Sequence, residues 1–234
     1  MENMQTSMDN CPICQGAEIV STEREGRQYE IACRCVLQRI EQRKLMELFK
    51  SAQIPKRFAT KTLQNFITGR ESEAHKKASE YIENWQDNAK QGRGMFFVGT
   101  VGCGKTHLAF AVVNELIKQG VKTLAATVPD LMDDLRPGQE NERKIETLKT
   151  IDLLVLDDLG AQRNTEWVTE RLFVVLNARY NNLLPTIITS NTYLEELEKM
   201  PGWGRMVDRL LEMCEFVRMN GASYRVDSMG GGKT

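Results

Sequence analysis

The sequence predicts an α/β fold, a buried parallel sheet layered between helices, with a small metal-stabilised domain ahead of it. Three observations carry this expectation. The string GTVGCGKT at Gly99 to Thr106 lies between an apolar run and an apolar-periodic stretch. The run IDLLVLDDLG at Ile151 to Gly160 is apolar on both faces until it ends in two carboxylates. Four of the six cysteines crowd into the first 35 of 234 residues.

The cysteines form two pairs, Cys11-Pro12-Ile13-Cys14 and Cys33-Arg34-Cys35. Such clustering in a chain with a polar N-terminus and no signal-peptide core points to metal ligation, not to disulfides. Ala17 to Thr22 and Gln28 to Ala32 read as short strands joined through Arg24-Glu25-Gly26-Arg27, a hairpin that brings the pairs together. Four thiolates at about 2.3 Å then close a tetrahedral structural Zn²⁺ site, which replaces the core that so short a segment cannot build. The C-x-C spacing departs from the commoner C-x-x-C, and free thiols are the alternative. Cys103 is expected as a small filler and Cys214 as a core residue.

From Val36 to Ala52 the apolar positions Leu37, Ile40, Leu45, Leu48, Phe49 and Ala52 share one face of a helix that ends near Ile54-Pro55. That face either binds a partner or packs on the following domain. Ile54 to Phe66 reads as a loop-like bridge, and His75 to Gln91 as one helix.

Met95 to Val98 is then a strand, GTVGCGKT a phosphate-binding loop, and His107 to Lys118 the helix after it. The glycines allow turns that turn consecutive N–H groups inward onto a phosphate, at the positive end of that helix. Lys105 is placed to bridge β- and γ-phosphates and Thr106 to hold Mg²⁺. The cofactor-contacting set is Gly99, Thr100, Val101, Gly102, Cys103, Gly104, Lys105, Thr106 and His107, although His107 also reads as helix surface.

At the end of the second apolar strand Asp157 can hold Mg²⁺ through water, and Asp158 can orient or deprotonate an attacking water. An isolated Asp-Asp pair reads as a solvated turn; the upstream loop changes that reading. Thr186 to Asn191, TIITSN, is a third buried strand, whose Asn191 can bond the γ-phosphate or the water. All these groups fall at the carboxyl ends of strands, where open α/β sheets bind ligands.

No apolar run approaches the roughly 20 residues that span a bilayer, so no membrane association and a cytoplasmic location are expected. The net charge is −1, which excludes a global basic field for nucleic acid. Local patches such as Lys44, Lys50, Lys56, Arg57 and Lys61 remain.

IPKRF at Ile54 to Phe58, GTVGCGKTHLA, LLVLDDLGAQ, NARYNNLLPTIITSN at Asn177 to Asn191, GRMVDRL at Gly204 to Leu210 and ASYR at Ala222 to Arg225 form an ordered set. Together they resemble the AAA+ helicase loaders of the DnaC/DnaI type and the related IstB transposition ATPases. The resemblance implies an AAA+ three-layer αβα ATPase with a reduced or absent C-terminal lid, which uses ATP and Mg²⁺. It implies that Arg209 is an arginine finger acting on the adjacent subunit's nucleotide, with Arg205 as runner-up, and that Arg225 is a second sensor or else a surface salt bridge. Such fingers contribute on the order of 10³ to 10⁵ in rate.

The N-terminal cysteine cluster resembles that of DnaI-type loaders, whose zinc-bearing part engages the replicative helicase. The implied function is ATP-dependent loading of a replicative DNA helicase onto single-stranded DNA, with homo-oligomer assembly on ATP. Val128 to Arg136 is a candidate DNA-contacting loop. A transposition ATPase that binds duplex DNA and recruits a transposase is one alternative. A low-turnover nucleotide-sensing adaptor is another, because Asp158 stands where many AAA+ proteins carry Glu. The expected organisation is a zinc domain and helix at 1–53, a linker and helix at 54–92, the ATPase at 93–228 and a disordered tail at 229–234.

Overall fold

The computed structural model describes residues 11–67, 69, 71–136 and 141–224. Arg225 and the tail at 229–234 lie outside the described residues. The chain divides into two compact units, with the boundary between Glu47 and Leu48.

The first unit holds the antiparallel hairpin β1 (Ile19–Arg24) and β2 (Arg27–Ala32), in register from Ile19 opposite Ala32 to Arg24 opposite Arg27. Glu25 and Gly26 connect them with φ of 50° and 72°. Two successive positive φ values define the turn whose twist matches the strands. Helix α1 (Arg34–Ser51) begins here and contains no buried residue. Leu37, Ile40 and Met46 are exposed, whereas Ala52, just past the helix, is fully buried.

The second unit begins its regular structure with α2 (Ser72–Glu83) and α3 (Trp85–Lys90). The single helix expected over His75 to Gln91 is therefore two. At the break, Asn84 takes φ −96° and ψ 19°, and its side-chain amide donates to the Glu80 carbonyl at 2.9 Å. A short amide side chain that captures a turn carbonyl competes with helix continuation.

Strands β3 (Gly94–Gly99), β4 (Thr123–Thr127), β5 (Leu153–Leu159), β6 (Thr186–Ser190) and β7 (Cys214–Met219) form one parallel sheet in the order β4-β5-β6-β3-β7. Between them run α4 (Lys105–Lys118), α5 (Val128–Asp134), α6 (Asn141–Thr150), α7 (Glu166–Asn181), α8 (Leu194–Leu197) and α9 (Gly204–Met213). Every residue of β3 is buried, as a central parallel strand with both faces covered requires.

Alternation sorts the strand residues into two layers. Phe96, Val98, Leu154, Leu156 and Ile188 join one cluster with Leu131, Leu172, Leu176, Trp203, Met206 and Leu210 from α5, α7, α9 and the turn before α9. The opposite face of β3 and β6 meets α4, on which α2 packs. The architecture is three-layer αβα, as expected.

Val128 to Arg136 is not a loop. Its first seven residues form α5, capped by Thr127, whose hydroxyl accepts the Asp130 amide at 3.3 Å, with Pro129 in the first turn and Val128, Leu131 and Met132 buried. Proline pre-set for a first turn and a threonine cap are ordinary helix-start chemistry. Among the described residues no helix is long and apolar enough to cross a membrane.

Candidate nucleotide site and metal centre

The phosphate-loop motif leaves β3 at Gly99 and enters α4 at Lys105. Gly104, at the helix cap, has φ +108°, and a Cβ there would stand 2.7 Å from the Phe66 ring. Gly102 has φ +82°, and a Cβ would stand 2.1 Å from Ser223 Oγ. Both conformation and space therefore demand glycine. The loop is tethered to the chain that follows β7: the Thr100 amide donates to the Met219 carbonyl at 3.1 Å, Thr100 Oγ1 to the Gly221 carbonyl at 2.8 Å, and the Tyr224 amide to the Gly102 carbonyl at 3.1 Å.

Lys105 is buried, and its Nζ donates to the carbonyls of Gly99 at 3.0 Å and Thr100 at 2.7 Å. Burial pushes its pKa down, while Cys103 and the carboxylates of Asp158 and Asp157 oppose that shift. The ammonium is held inside its own loop, beside the place where a phosphate would accept it. Cys103 is fully buried as expected, and Val101 is 62% exposed at the loop tip.

Across from the loop, Asp157 is buried and accepts the Thr189 hydroxyl at 2.6 Å and a hydrogen bond from Thr106. Burial pushes the Asp157 carboxyl up, and the Thr189 bond works against it. Asp158 takes φ 58°, a left-handed conformation unusual for a residue with a β-carbon. The cause is a register shift between Leu156 and Leu159 in the pairing of β5 with β6. That bulge turns the Asp158 side chain out of the sheet, to within 3.4 Å of Asn191 Nδ2. Lys105, Thr106, Asp158 and Asn191 line one cleft of about 230 Å³. The sheet thus brings together the residues that the sequence singled out, and adds Thr189, which it did not.

Arg57 and Lys61 also line this cleft. The segment that carries them is bound to α4: Asn114 Nδ2 donates to the carbonyls of Phe58 at 2.9 Å and Lys61 at 2.8 Å, and the Phe58 ring stacks on Phe110 at 4.8 Å. His107 Nε2 lies 3.0 Å from the Thr62 carbonyl, and the ring meets Phe66 edge-on at 5.2 Å. His107 is accordingly no free helix surface: it ties the approach segment to the helix. An apolar residue repeating at helical spacing cannot disclose such a contact.

Arg209 and Arg205 on α9 do not line the cleft; their guanidinium groups lie on the Phe173 ring, 4.9 and 5.0 Å from its centroid. Arg225 falls outside the described residues.

In the first unit the four sulfurs of Cys11, Cys14, Cys33 and Cys35 lie within 4.8 Å of one another. Cys11 and Cys33 are 3.8 Å apart, Cys14 and Cys35 3.6 Å. A tetrahedron with metal–sulfur bonds of about 2.3 Å has edges of about 3.8 Å, so this group can hold a metal ion. The amides of Cys14 and Ile13 pull the Cys11 thiol down to about 6. Partial burial, followed by the other three sulfurs, pushes Cys35 up to about 12.

The arrangement can bind a polyphosphate on the loop amides and Lys105, hold a hard divalent cation at Thr106 and Asp157, and orient a water between Asp158 and Asn191. Residues 30–229 match the family described as IstB-like ATP binding protein. The replicative helicase loader DnaC of Escherichia coli K12 is 32% identical over 155 residues, 64% of this chain and 62% of that protein. The replicative helicase loader DnaI of Bacillus subtilis 168 is 27% identical over 202 residues, 79% of this chain and 65% of that protein. The chain thus spans somewhat under two thirds of the length of these curated relatives. A crystal structure of the DnaC helicase loader superposes with a TM-score of 0.64 at 29% identity, covering 71% of this chain and all of that one.

Proposed function

The chain belongs to the IstB-like ATP binding protein family, and on that premise we propose that it is an ATP-hydrolysing helicase loader, which binds a replicative DNA helicase and delivers it to single-stranded DNA. The observation that carries the ATPase reading is the meeting of Lys105, Thr106, Asp157, Asp158 and Asn191 at the carboxyl ends of β3, β5 and β6. Lys105 would exchange two loop carbonyls for phosphate oxygens. A Mg²⁺ held at Thr106 and Asp157 would neutralise charge that develops on the phosphates. Asp158, set out of line by the bulge, would orient the attacking water with Asn191. Arg209 would supply the missing cation to a neighbouring copy, so that ATP joins copies and hydrolysis releases them.

The likeness to two loaders favours helicase loading as the purpose of that cycle. The separate first unit supports it, with a four-thiol cluster suited to Zn²⁺ and exposed apolar side chains at Ile31, Leu37, Ile40 and Met46 suited to a protein partner. Single-stranded DNA has a candidate platform in a cleft of about 480 Å³ where Trp167 lies near Arg163 and Arg136, the latter paired with Asp133 at 2.8 Å. An aromatic face beside guanidinium groups suits base stacking without sequence preference.

Native mass spectrometry of the full chain with its host's replicative helicase, ATP and Mg²⁺ tests this. A defined complex, lost on deletion of residues 1–47, is the expected result. A folded, nucleotide-loaded chain that ignores helicase and coats duplex DNA would favour the transposition reading that the family description also fits.

A further inference from the structure

Phe173 belongs to no motif, yet two arginine side chains lie against its ring. On α7, Phe173 and Tyr180 are seven residues apart and share a face; on α9, Arg205 and Arg209 are four apart and share another. The packing of α7 on α9 brings these pairs together. The Arg205 and Arg209 guanidinium carbons lie 5.0 and 4.9 Å from the Phe173 centroid, and Arg209 also lies 5.6 Å from that of Tyr180. Arg209 Nη1 donates to the Arg205 carbonyl at 2.8 Å, and its Nε is buried without a hydrogen-bond partner.

Among the described residues neither arginine forms an ion pair. Glu212, one turn beyond Asp208 on α9, is taken by the Tyr180 hydroxyl. A purely structural arginine looks different in this same protein: buried Arg179 donates from every nitrogen of its guanidinium. Arg209 instead lies against aromatic faces, with one bond to a backbone carbonyl and no ion pair among the described residues. Ring faces hold a guanidinium in plane without consuming its charge.

We propose that Phe173 is the positioning residue for Arg209, holding its guanidinium ready for the γ-phosphate of ATP on a second copy of this chain. The proposal rests on the reading of Arg209 as the arginine finger. Phe173 touches no nucleotide itself; it limits the orientations that Arg209 samples before assembly, so that the cation arrives already placed.

The test is steady-state ATPase of the full chain with Mg²⁺, read as kcat and KM. Phe173→Leu is expected to lower kcat about tenfold, the factor that a stacking contact of this class supplies. KM and the affinity for a fluorescent ATP analogue stay unchanged, and Phe173→Tyr retains kcat. Phe173→Met, a flexible apolar side chain without a ring face, is the second variant, and circular dichroism checks that each folds. Adding Lys105→Ala chains, which carry an intact Arg209 but no working loop, should restore turnover to Phe173→Leu chains in trans. Wild-type kcat in the Leu and Met variants while Arg209→Ala is inactive overturns the role of Phe173 alone. Loss of kcat without restoration in trans also overturns it, since the defect would then lie in the variant's own cleft. Wild-type turnover in Arg209→Ala overturns the finger reading and this proposal together.

Discussion

The Thr189 hydroxyl donates to Asp157 Oδ1 at 2.6 Å and, through its oxygen, accepts the Asp158 amide at 3.0 Å. One side chain from β6 thereby sets both carboxylate positions of β5: it aims the buried Asp157 carboxyl and pins the backbone where the strand turns out of register.

Thr189→Val keeps the volume and removes both bonds. The variant should lose about 1–3 kcal/mol, the cost of leaving buried polar groups unsatisfied. Its ATPase kcat should fall about tenfold while nucleotide affinity holds, because Lys105 and the loop amides are untouched. Thermal melting and steady-state kinetics read the two effects separately. Turnover at the wild-type level would show that Asp157 and Asp158 need no help from β6.

Asp157→Asn should separate stability from function. Burial raises the folded pKa of Asp157 above its unfolded value. The folded state therefore binds more protons between the two values, and stability falls as pH rises through the folded pKa. At neutral pH the buried carboxylate is a net cost, and the amide removes it. The nucleotide-free variant should melt higher, by about 1 kcal/mol or roughly 2–4 °C, and should lose Mg²⁺-dependent hydrolysis. A lower melting point in calorimetry would mean that the hydrogen bonds from Thr189 and Thr106 outweigh desolvation.

Sequence pattern disclosed the sheet because a parallel strand buried on both faces is a short apolar run, and β3, β5 and β6 are such runs. It disclosed Lys105, Asp157, Asp158 and Asn191 because motif spacing and strand ends place them. It could not disclose Thr189 or Phe173, nor that Arg57 of the basic patch lines the nucleotide cleft, because only sheet order and helix packing bring these partners close. The break at Asn84 was hidden for a related reason: one local side-chain bond decided it, against an apolar period that continues through Trp85. The start of α5 is legible in Thr127 and Pro129, its cap and first-turn proline.

His107 gives the fold a pH limit. Burial holds its folded pKa below the unfolded value near 6.5, with Lys61 adding to the shift and the Thr62 carbonyl opposing it. The folded state therefore binds fewer protons between the two values, so stability is intact above about pH 6.5 and declines as pH falls below it. The drop in melting temperature from pH 7.5 to 5.5 should be smaller in His107→Gln, whose amide can still donate to Thr62. Equal drops would remove His107 as the cause.

Metal should account for the first unit. About one Zn²⁺ per chain is expected by elemental analysis, and Cys14→Ser or a strong chelator should abolish it. Amide exchange should then quicken in the hairpin β1–β2 while the sheet of the second unit keeps its protection, because the hairpin and the sheet belong to different compact units. A metal-free chain with a protected hairpin would refute the zinc assignment.

Arg179 should prove the most costly single side chain outside the cleft. It is fully buried, yet among the described residues no carboxylate pairs with it. Its Nε donates to Thr186 Oγ1 at 2.9 Å, Nη1 to the carbonyls of Leu148 and Ile151 at 2.9 Å each, and Nη2 to the Pro185 carbonyl at 2.6 Å. These acceptors lie at the end of α6, the entry to β5 and the entry to β6, so the guanidinium fastens three chain segments at the end of the sheet opposite the cleft. Arg179→Lys cannot reproduce this, since one ammonium cannot reach acceptors spread around a planar fork. Arg179→Met fills the space but strips the guanidinium bonds from the Leu148, Ile151 and Pro185 carbonyls, of which Pro185 keeps the Leu154 amide at 3.4 Å. Each substitution should cost about 3 kcal/mol or more, seen as a lower urea midpoint at unchanged m. Methionine should be the milder of the two, because it leaves no unpaired charge in the core. The reverse order, with lysine milder, would mean that water reaches this end of the sheet and that the carbonyls were never dry.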